Sequence, residues 1–179
     1  MPRAIGDRTL YPKERMTEIQ RCKSDKAKRE KYWVWVLLEK ALKEALNIDI
    51  ANLKFTKMPS GKWIADGCYF SLSHTDGAMA VAVSESPVGV DIERVREVRR
   101  GLGDKILTER EMAHQRALGD DEKREYLLDK WCEKEAIFKA GEGNALLPRT
   151  IETSEHETQI KRVTIGDQEY IVCVYGQSK

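Results

Sequence analysis

Residues 70–93, FSLSHTDGAMAVAVSESPVGVDIE, constrain the fold of this chain more than any other stretch. They read as short strands cut by turns: an apolar-polar strand running into Ser73-His74, an apolar strand over 78–83 and, after a Ser/Pro turn, a strand over 88–93. His74-Thr75-Asp76-Gly77 makes a hairpin-like connection, and residues 84–87 turn again, so the stretch is expected to form a three-stranded antiparallel meander. In the third strand Val88, Val90 and Ile92 share one face, and Gly89, Asp91 and Glu93 share the other. Two carboxylates then stand side by side over an apolar layer, with a glycine beside them that leaves room for approach. That pattern suggests a cation site rather than a solvated strand.

The flanking chain supplies helices. Residues 1–10 show no strong period. Pro12 opens a helix running to about Arg21. Ser24 or Asp25 caps a longer one to about Leu46. Its start is basic, with Lys23, Lys26, Lys28, Arg29 and Lys31; its second half carries Val34, Leu38, Ala41, Leu42 and Ala45 at amphipathic spacing. The basic cluster reads as a solvated face or as the rim of an anion site. Residues 58–62 are turn chemistry, a strand begins at Trp63, and Asp66-Gly67 turns into the opening stretch. After Glu93 come Arg94, Arg96, Arg99 and Arg100 with Gly101 and Gly103, a flexible positive surface beside the carboxylates. Thr108-Glu109-Arg110-Glu111 fits a capping box for a helix ending near Gly119. Asp120 or Asp121 caps another that ends at Ala140, with Gly141 just past it. Strands follow over about 158–165 and 169–175, with Gly166-Asp167 between them. The expected class is α+β.

Charged residues make up 34% of the 179, yet the net charge is only +1, which gives no support to nucleic-acid binding. The longest apolar run, 32–38, is too short to span a bilayer, and no apolar leader follows Met1-Pro2-Arg3, so a cytoplasmic protein without a membrane partner is expected. Cys22, Cys68, Cys132 and Cys173 form no CxxC pair and have no histidine at ligand spacing, so they read as reduced packing thiols rather than zinc ligands. No GxxxxGK[ST] loop, GxGxxG turn or HExxH sequence is present.

The last helix contains WCEKEAIFKA, in which Glu135 and Lys139 are four apart on one face. Alone, they would be a surface pair worth about 0.3–0.5 kcal/mol. Asp91 and Glu93 add a carboxylate pair that requires a counter-charge. Three carboxylates without Cys or His suit a hard divalent cation, Mg²⁺ first and Mn²⁺ as the alternative. Lys139, Lys134, Lys62 and His74 are placed to neutralise a polyphosphate. Carboxylates, a metal and lysines together point to cleavage at a phosphate.

Three segments, 70–74 (FSLSH), 87–93 (PVGVDIE) and 131–140 (WCEKEAIFKA), together resemble the 4′-phosphopantetheinyl transferase superfamily in order and rough separation. The chain is longer than the superfamily's small, trimeric type and shorter than typical members of its surfactin-type group, and the substantial stretch before these motifs resembles the latter. The resemblance implies two similar α/β lobes forming a pseudo-dimer, with antiparallel sheets and long packing helices. The lobes are expected over 1–86, trimmed at its start, and 87–179, with the active site between them in a monomer. It also implies transfer of the phosphopantetheine arm of coenzyme A to a carrier-protein serine, with Mg²⁺, releasing adenosine 3′,5′-bisphosphate. By position, Asp91, Glu93 and Glu135 hold the metal. Glu135 is the candidate base for the serine, and Lys139 meets the diphosphate with Lys134 nearby. Ser73 and His74 contact coenzyme A phosphates. Gly61-Lys62 resembles the family's Gly-Lys-Pro turn near the nucleotide, with Trp63 in place of the proline. Lys28, Arg29 and Lys31 lie where the family often binds the 3′-phosphate. An acidic acyl or peptidyl carrier protein is the expected partner, docking on Arg94, Arg96, Arg99 and Arg100.

Two other readings share parts of this pattern. A Mg²⁺-dependent phosphohydrolase would use water as acceptor and need no protein partner. A non-catalytic module would bind coenzyme A or a carrier without turnover, but the presence of Asp91, Glu93, Glu135 and Lys139 argues against it.

Overall fold

Helix α1 (Lys13–Gln20) begins where Pro12 fixes the chain direction. Helix α2 (Asp25–Leu46) starts at Ser24, whose hydroxyl accepts the Ala27 amide at 3.1 Å, and stops at Asn47 in the left-handed region at φ 54°. The computed structural model in which these elements are seen describes residues 11–99, 101–141 and 145–176. The buried stripe of α2 is Tyr32, Val34, Trp35, Leu38 and Leu42, so it starts earlier than expected and leaves Ala45 exposed. Trp35 is its centre, with ring centroids of Tyr11, Phe55 and Trp63 at 5.7, 4.9 and 5.5 Å. Such aromatic pairs add about 0.5–1.5 kcal/mol each beyond the area they bury.

Strands β1 (Phe55–Lys57) and β2 (Trp63–Ala65) form a small antiparallel pair. Strands β3 (Tyr69–Thr75) and β4 (Ala78–Ser84) form a hairpin closed by Asp76-Gly77, with Gly77 at φ 84°. The expected three-stranded meander does not form. Strand β5 (Val88–Arg94) leaves the hairpin and joins β6 (Thr158–Ile165) and β7 (Gln168–Gly176) in a separate antiparallel sheet of order β5-β7-β6. Residues 88–92 are all buried, so β5 needs cover on both faces, which a place at the hairpin edge would not give. Two hydroxyls tie it to β3 instead. Ser71 Oγ accepts the Val90 amide at 3.0 Å, and Ser73 Oγ accepts the Ile92 amide at 3.3 Å.

The Arg/Gly segment, expected as a flexible surface, contains a short helix α3 (Leu102–Ile106) entered through Gly101 at φ 77°. Helix α4 (Glu109–Arg116) carries the expected capping box between Thr108 and Glu111. Helix α5 (Asp120–Ala140) follows, with the Glu122 carboxylate accepting the Gly119 amide at 2.9 Å. Short 3-10 turns at Pro148–Thr150 and Thr153–Glu155 lead into β6. Leu128, Cys132 and Ala136 of α5 pack with Ile171 and Cys173 of β7. Gly89 sets the seat of α5 on β5, because a Cβ there would lie 1.8 Å from the Ala136 carbonyl oxygen. The fold is therefore α+β, antiparallel sheets packed by helices. Among the described residues no helix is long and apolar enough to cross a membrane.

Candidate active site

Strand alternation turns Gly89, Asp91 and Glu93 toward α5, and the helical repeat places Trp131, Glu135 and Lys139 in a facing row. The close seat at Gly89 brings the two rows together. Asp91 is buried, and its Oδ1 accepts the Lys139 ammonium at 2.6 Å and the Ser73 hydroxyl at 2.7 Å. Its Oδ2 is also buried and has no hydrogen-bond partner among the described residues. Lys139 Nζ lies 3.1 Å from Ser73 Oγ and 3.8 Å from Glu135 Oε2. The Trp131 indole donates to Glu93 Oε1 at 2.8 Å. Burial raises the pKa of Glu93, and the Asp91 charge adds to this against the Trp131 bond. Burial also raises that of Glu135, opposed by Lys139 and reinforced by Asp91 and Glu93.

A divalent cation fits this donor set chemically: all-oxygen ligands, an orphaned buried carboxylate oxygen, and carboxylates that raise one another's proton affinity. As the side chains stand, no three His, Cys, Asp or Glu groups among the described residues are gathered closely enough to hold one. The Lys139 ammonium lies between Asp91 and Glu135 instead.

On the other side of Lys139 a cavity of about 440 Å³ opens between β3, α2 and the end of α5. Arg15, Lys31, Lys62, His74 and Lys139 line it, and no carboxylate does among the described residues. Such a lining is built for an anion with more than one negative charge. The His74 imidazole is held below its ordinary pKa by desolvation, with Lys139, Arg15 and Lys31 adding to the effect against Glu30.

The structure distributes the sequence-predicted residues unevenly. Asp91, Glu93, Glu135, Lys139 and Ser73 come together, and His74 and Lys31 face the cavity. Lys62 also reaches it, while its ammonium donates to the Lys139 and Gly141 carbonyls at 2.8 Å each, satisfying the end of α5. Lys28 pairs with Asp25 at 3.6 Å and Arg29 is exposed; neither lines the cavity. Lys134 lies apart from the diphosphate position expected for it. It is fully buried, 2.6 Å from Glu111, and donates to the Pro148 and Ile151 carbonyls. Arg96 and Arg99 are exposed, Arg94 pairs with Asp76 at 3.4 Å, and Arg100 lies outside the described residues. Of the thiols, Cys68, Cys132 and Cys173 are buried, and burial raises the Cys173 pKa to about 12.

Sequence reasoning missed Arg15. Its guanidinium lies over Trp35 at 5.4 Å and donates to the Lys31 carbonyl at 2.7 Å, with Nε buried and without a partner among the described residues. The available signal was its position four residues before Ile19, on the inward face of α1.

Residues 87–179 match the family model of the 4′-phosphopantetheinyl transferase superfamily. The chain belongs to this superfamily. It is 29% identical over 126 residues to the 4′-phosphopantetheinyl transferase gsp of Aneurinibacillus migulanus, covering 69% of this chain and 53% of that protein. It is 26% identical over 126 residues to the 4′-phosphopantetheinyl transferase ffp of Bacillus subtilis, covering 68% of this chain and 56% of that one. With the 4′-phosphopantetheinyl transferase Sfp of Bacillus subtilis strain 168 the identity is 25% over 114 residues, covering 62% and 50%. These relatives support the surfactin-type group within the superfamily. The chain spans about half the length of the curated transferases it matches.

Proposed function

We propose that this chain transfers the 4′-phosphopantetheine arm of coenzyme A to a serine of an apo carrier protein, releasing adenosine 3′,5′-bisphosphate. The observation that carries the reading is the double membership of Lys139, which lines the basic cavity and bonds Asp91 in the carboxylate row. A diphosphate held there is neutralised from the cavity side by Lys31, Lys62, His74 and Arg15. Asp91, Glu93 and Glu135 hold Mg²⁺ or Mn²⁺, which supplies charge neutralisation at the diphosphate when bound. Trp131 fixes one oxygen of Glu93 and Ser73 orients Asp91. Glu135, made more basic by burial, takes the proton of the carrier serine directly or through a water. Lys139 stabilises charge on the departing bisphosphate.

In the same proposal, residues 1–86 and 87–179 are two lobes of a pseudo-dimer with the site between them. The carrier is an acidic protein that docks beside exposed Arg96 and Arg99.

Incubation with coenzyme A and an apo carrier protein, followed by mass spectrometry, tests the reading. A phosphopantetheine adduct on the carrier serine is expected. Free phosphopantetheine with an unmodified carrier would instead establish a phosphohydrolase. E135Q is expected to lower transfer by about 10²–10⁴-fold with the fold intact.

A further inference from the structure

Two serines of β3 face β5, and their hydroxyls differ in what they still have to donate. Ser71 and Ser73 are both buried and lie on one face of the strand, about 7 Å apart. Each fixes its oxygen on a β5 amide, Val90 for Ser71 at 3.0 Å and Ile92 for Ser73 at 3.3 Å. A hydroxyl offers one proton and two lone pairs. Ser73 has all three engaged, since its oxygen also accepts the Lys139 ammonium at 3.1 Å and its proton goes to Asp91 Oδ1 at 2.7 Å. Ser71 accepts the Val90 amide, and among the described residues its proton meets no acceptor. Ser71 also lines the basic cavity, where Ser73 does not. Ser60, the other hydroxyl on that lining among the described residues, is exposed in the turn between β1 and β2. A buried donor without an acceptor is unfavourable, and an anion entering the cavity removes the deficit.

We propose that Ser71 donates its hydroxyl proton to a phosphate oxygen of the nucleotide in the basic cavity, a contact that the resemblance assigns to Ser73. The inference rests on the cavity holding the coenzyme A diphosphate, as proposed above, and adds a neutral donor of fixed position to its basic residues. The Val90 bond holds the Ser71 oxygen in place while the proton turns about the Cβ–Oγ bond, so binding needs no rearrangement of the side chain. Lys139 contacts Ser73 on the same strand face, one strand repeat away. The phosphate beside Ser71 is therefore the one on the diphosphate side, attached at the 5′ position of the nucleoside.

Calorimetric titration of the full chain with adenosine 3′,5′-bisphosphate, without metal, tests this. S71A is expected to raise the dissociation constant about tenfold, and S71T, which keeps a hydroxyl on a strand-favouring side chain, to restore it. Removing the hydroxyl also leaves the Val90 amide without its acceptor, so a second readout separates binding from loosened packing. Adenosine 5′-phosphate is expected to lose about tenfold in affinity for S71A, and adenosine 3′-phosphate to bind as it does to wild type. Loosened packing would weaken both. If S71A does not fold by circular dichroism, proton–phosphorus NMR of the wild-type complex decides, with a Ser71 hydroxyl proton coupled to a nucleotide phosphorus expected. Wild-type affinity in S71A, equal losses for the two mononucleotides, failure of S71T to restore binding or, in the NMR arm, no such coupling would each overturn the assignment and leave the cavity reading in place. A wild-type chain that does not bind the bisphosphate would overturn both.

Discussion

His74 links the charge of the cavity to pH. Its imidazole sits below the ordinary value of 6.5, so it is neutral at pH 7 in the free protein. An anion in the cavity favours the imidazolium, and binding then takes up a proton. Affinity for adenosine 3′,5′-bisphosphate is expected to rise as pH falls from about 7.5 to about 6, more steeply than in H74Q. Calorimetric titrations giving the same slope for both proteins would remove His74 from the site. At this scale the carboxylate row was legible, because period-2 alternation gives Asp91 and Glu93 and the i,i+4 step gives Glu135 and Lys139. Lys134 was not. One residue along a helix is a rotation of about 100°, which takes it off the Trp131-Glu135-Lys139 row into the Glu111 pocket. Replacing it with methionine leaves Glu111 buried without its counter-charge, although Thr108 and Thr153 still bond it. K134M is expected to lose about 3–5 kcal/mol of stability by denaturant unfolding. The fraction that remains folded is expected to keep wild-type affinity for the bisphosphate.

At the level of elements, helix ends were readable where their signals are local: Ser24, Thr108 and Gly141. The start of α5 was not, because its cap is Gly119, with Asp120 and Asp121 inside the helix and the Glu122 carboxylate accepting the Gly119 amide, in place of the aspartate cap expected. Strand partners were not. Nothing in 70–93 states that β5 takes its neighbour from residues 168–176, about eighty positions on. That choice follows from burial of both faces of β5, a property of the assembled layers. Gly89 is where strand and helix meet most closely, and its role differs from the one its sequence implies, since the space it leaves is filled by α5. G89A is expected to cost about 3 kcal/mol, the upper end of overpacking, and to disrupt the carboxylate row by pushing α5 outward. G166A is the control, because nothing lies within 4 Å of the added methyl and only its φ of 60° opposes the change. Thermal unfolding of both variants, with G166A losing as much as G89A, would count against a steric seat.

For the whole molecule, near-neutral net charge conceals local separation: a cavity with five basic residues, a carboxylate row beside it, and exposed Arg96 and Arg99 beyond the end of β5. Charge reversal at both arginines is expected to raise the carrier KM and to flatten its dependence on salt, with little change in kcat. Kinetics that remain the same as wild type across salt concentrations would exclude that surface as the docking face. Lys139 stands where the first two regions meet, and its single ammonium cannot give full strength to Asp91 and to a polyanion at once. Occupancy on the two sides is therefore thermodynamically coupled. When a cation takes over Asp91, Lys139 is released to the cavity. By reciprocity, an anion that draws Lys139 away strengthens cation binding by the same factor. With either ligand alone, part of the available interaction remains locked in the Lys139–Asp91 pair. The two together would release it, so under the proposed function the order in which metal and nucleotide arrive would matter less than their joint presence.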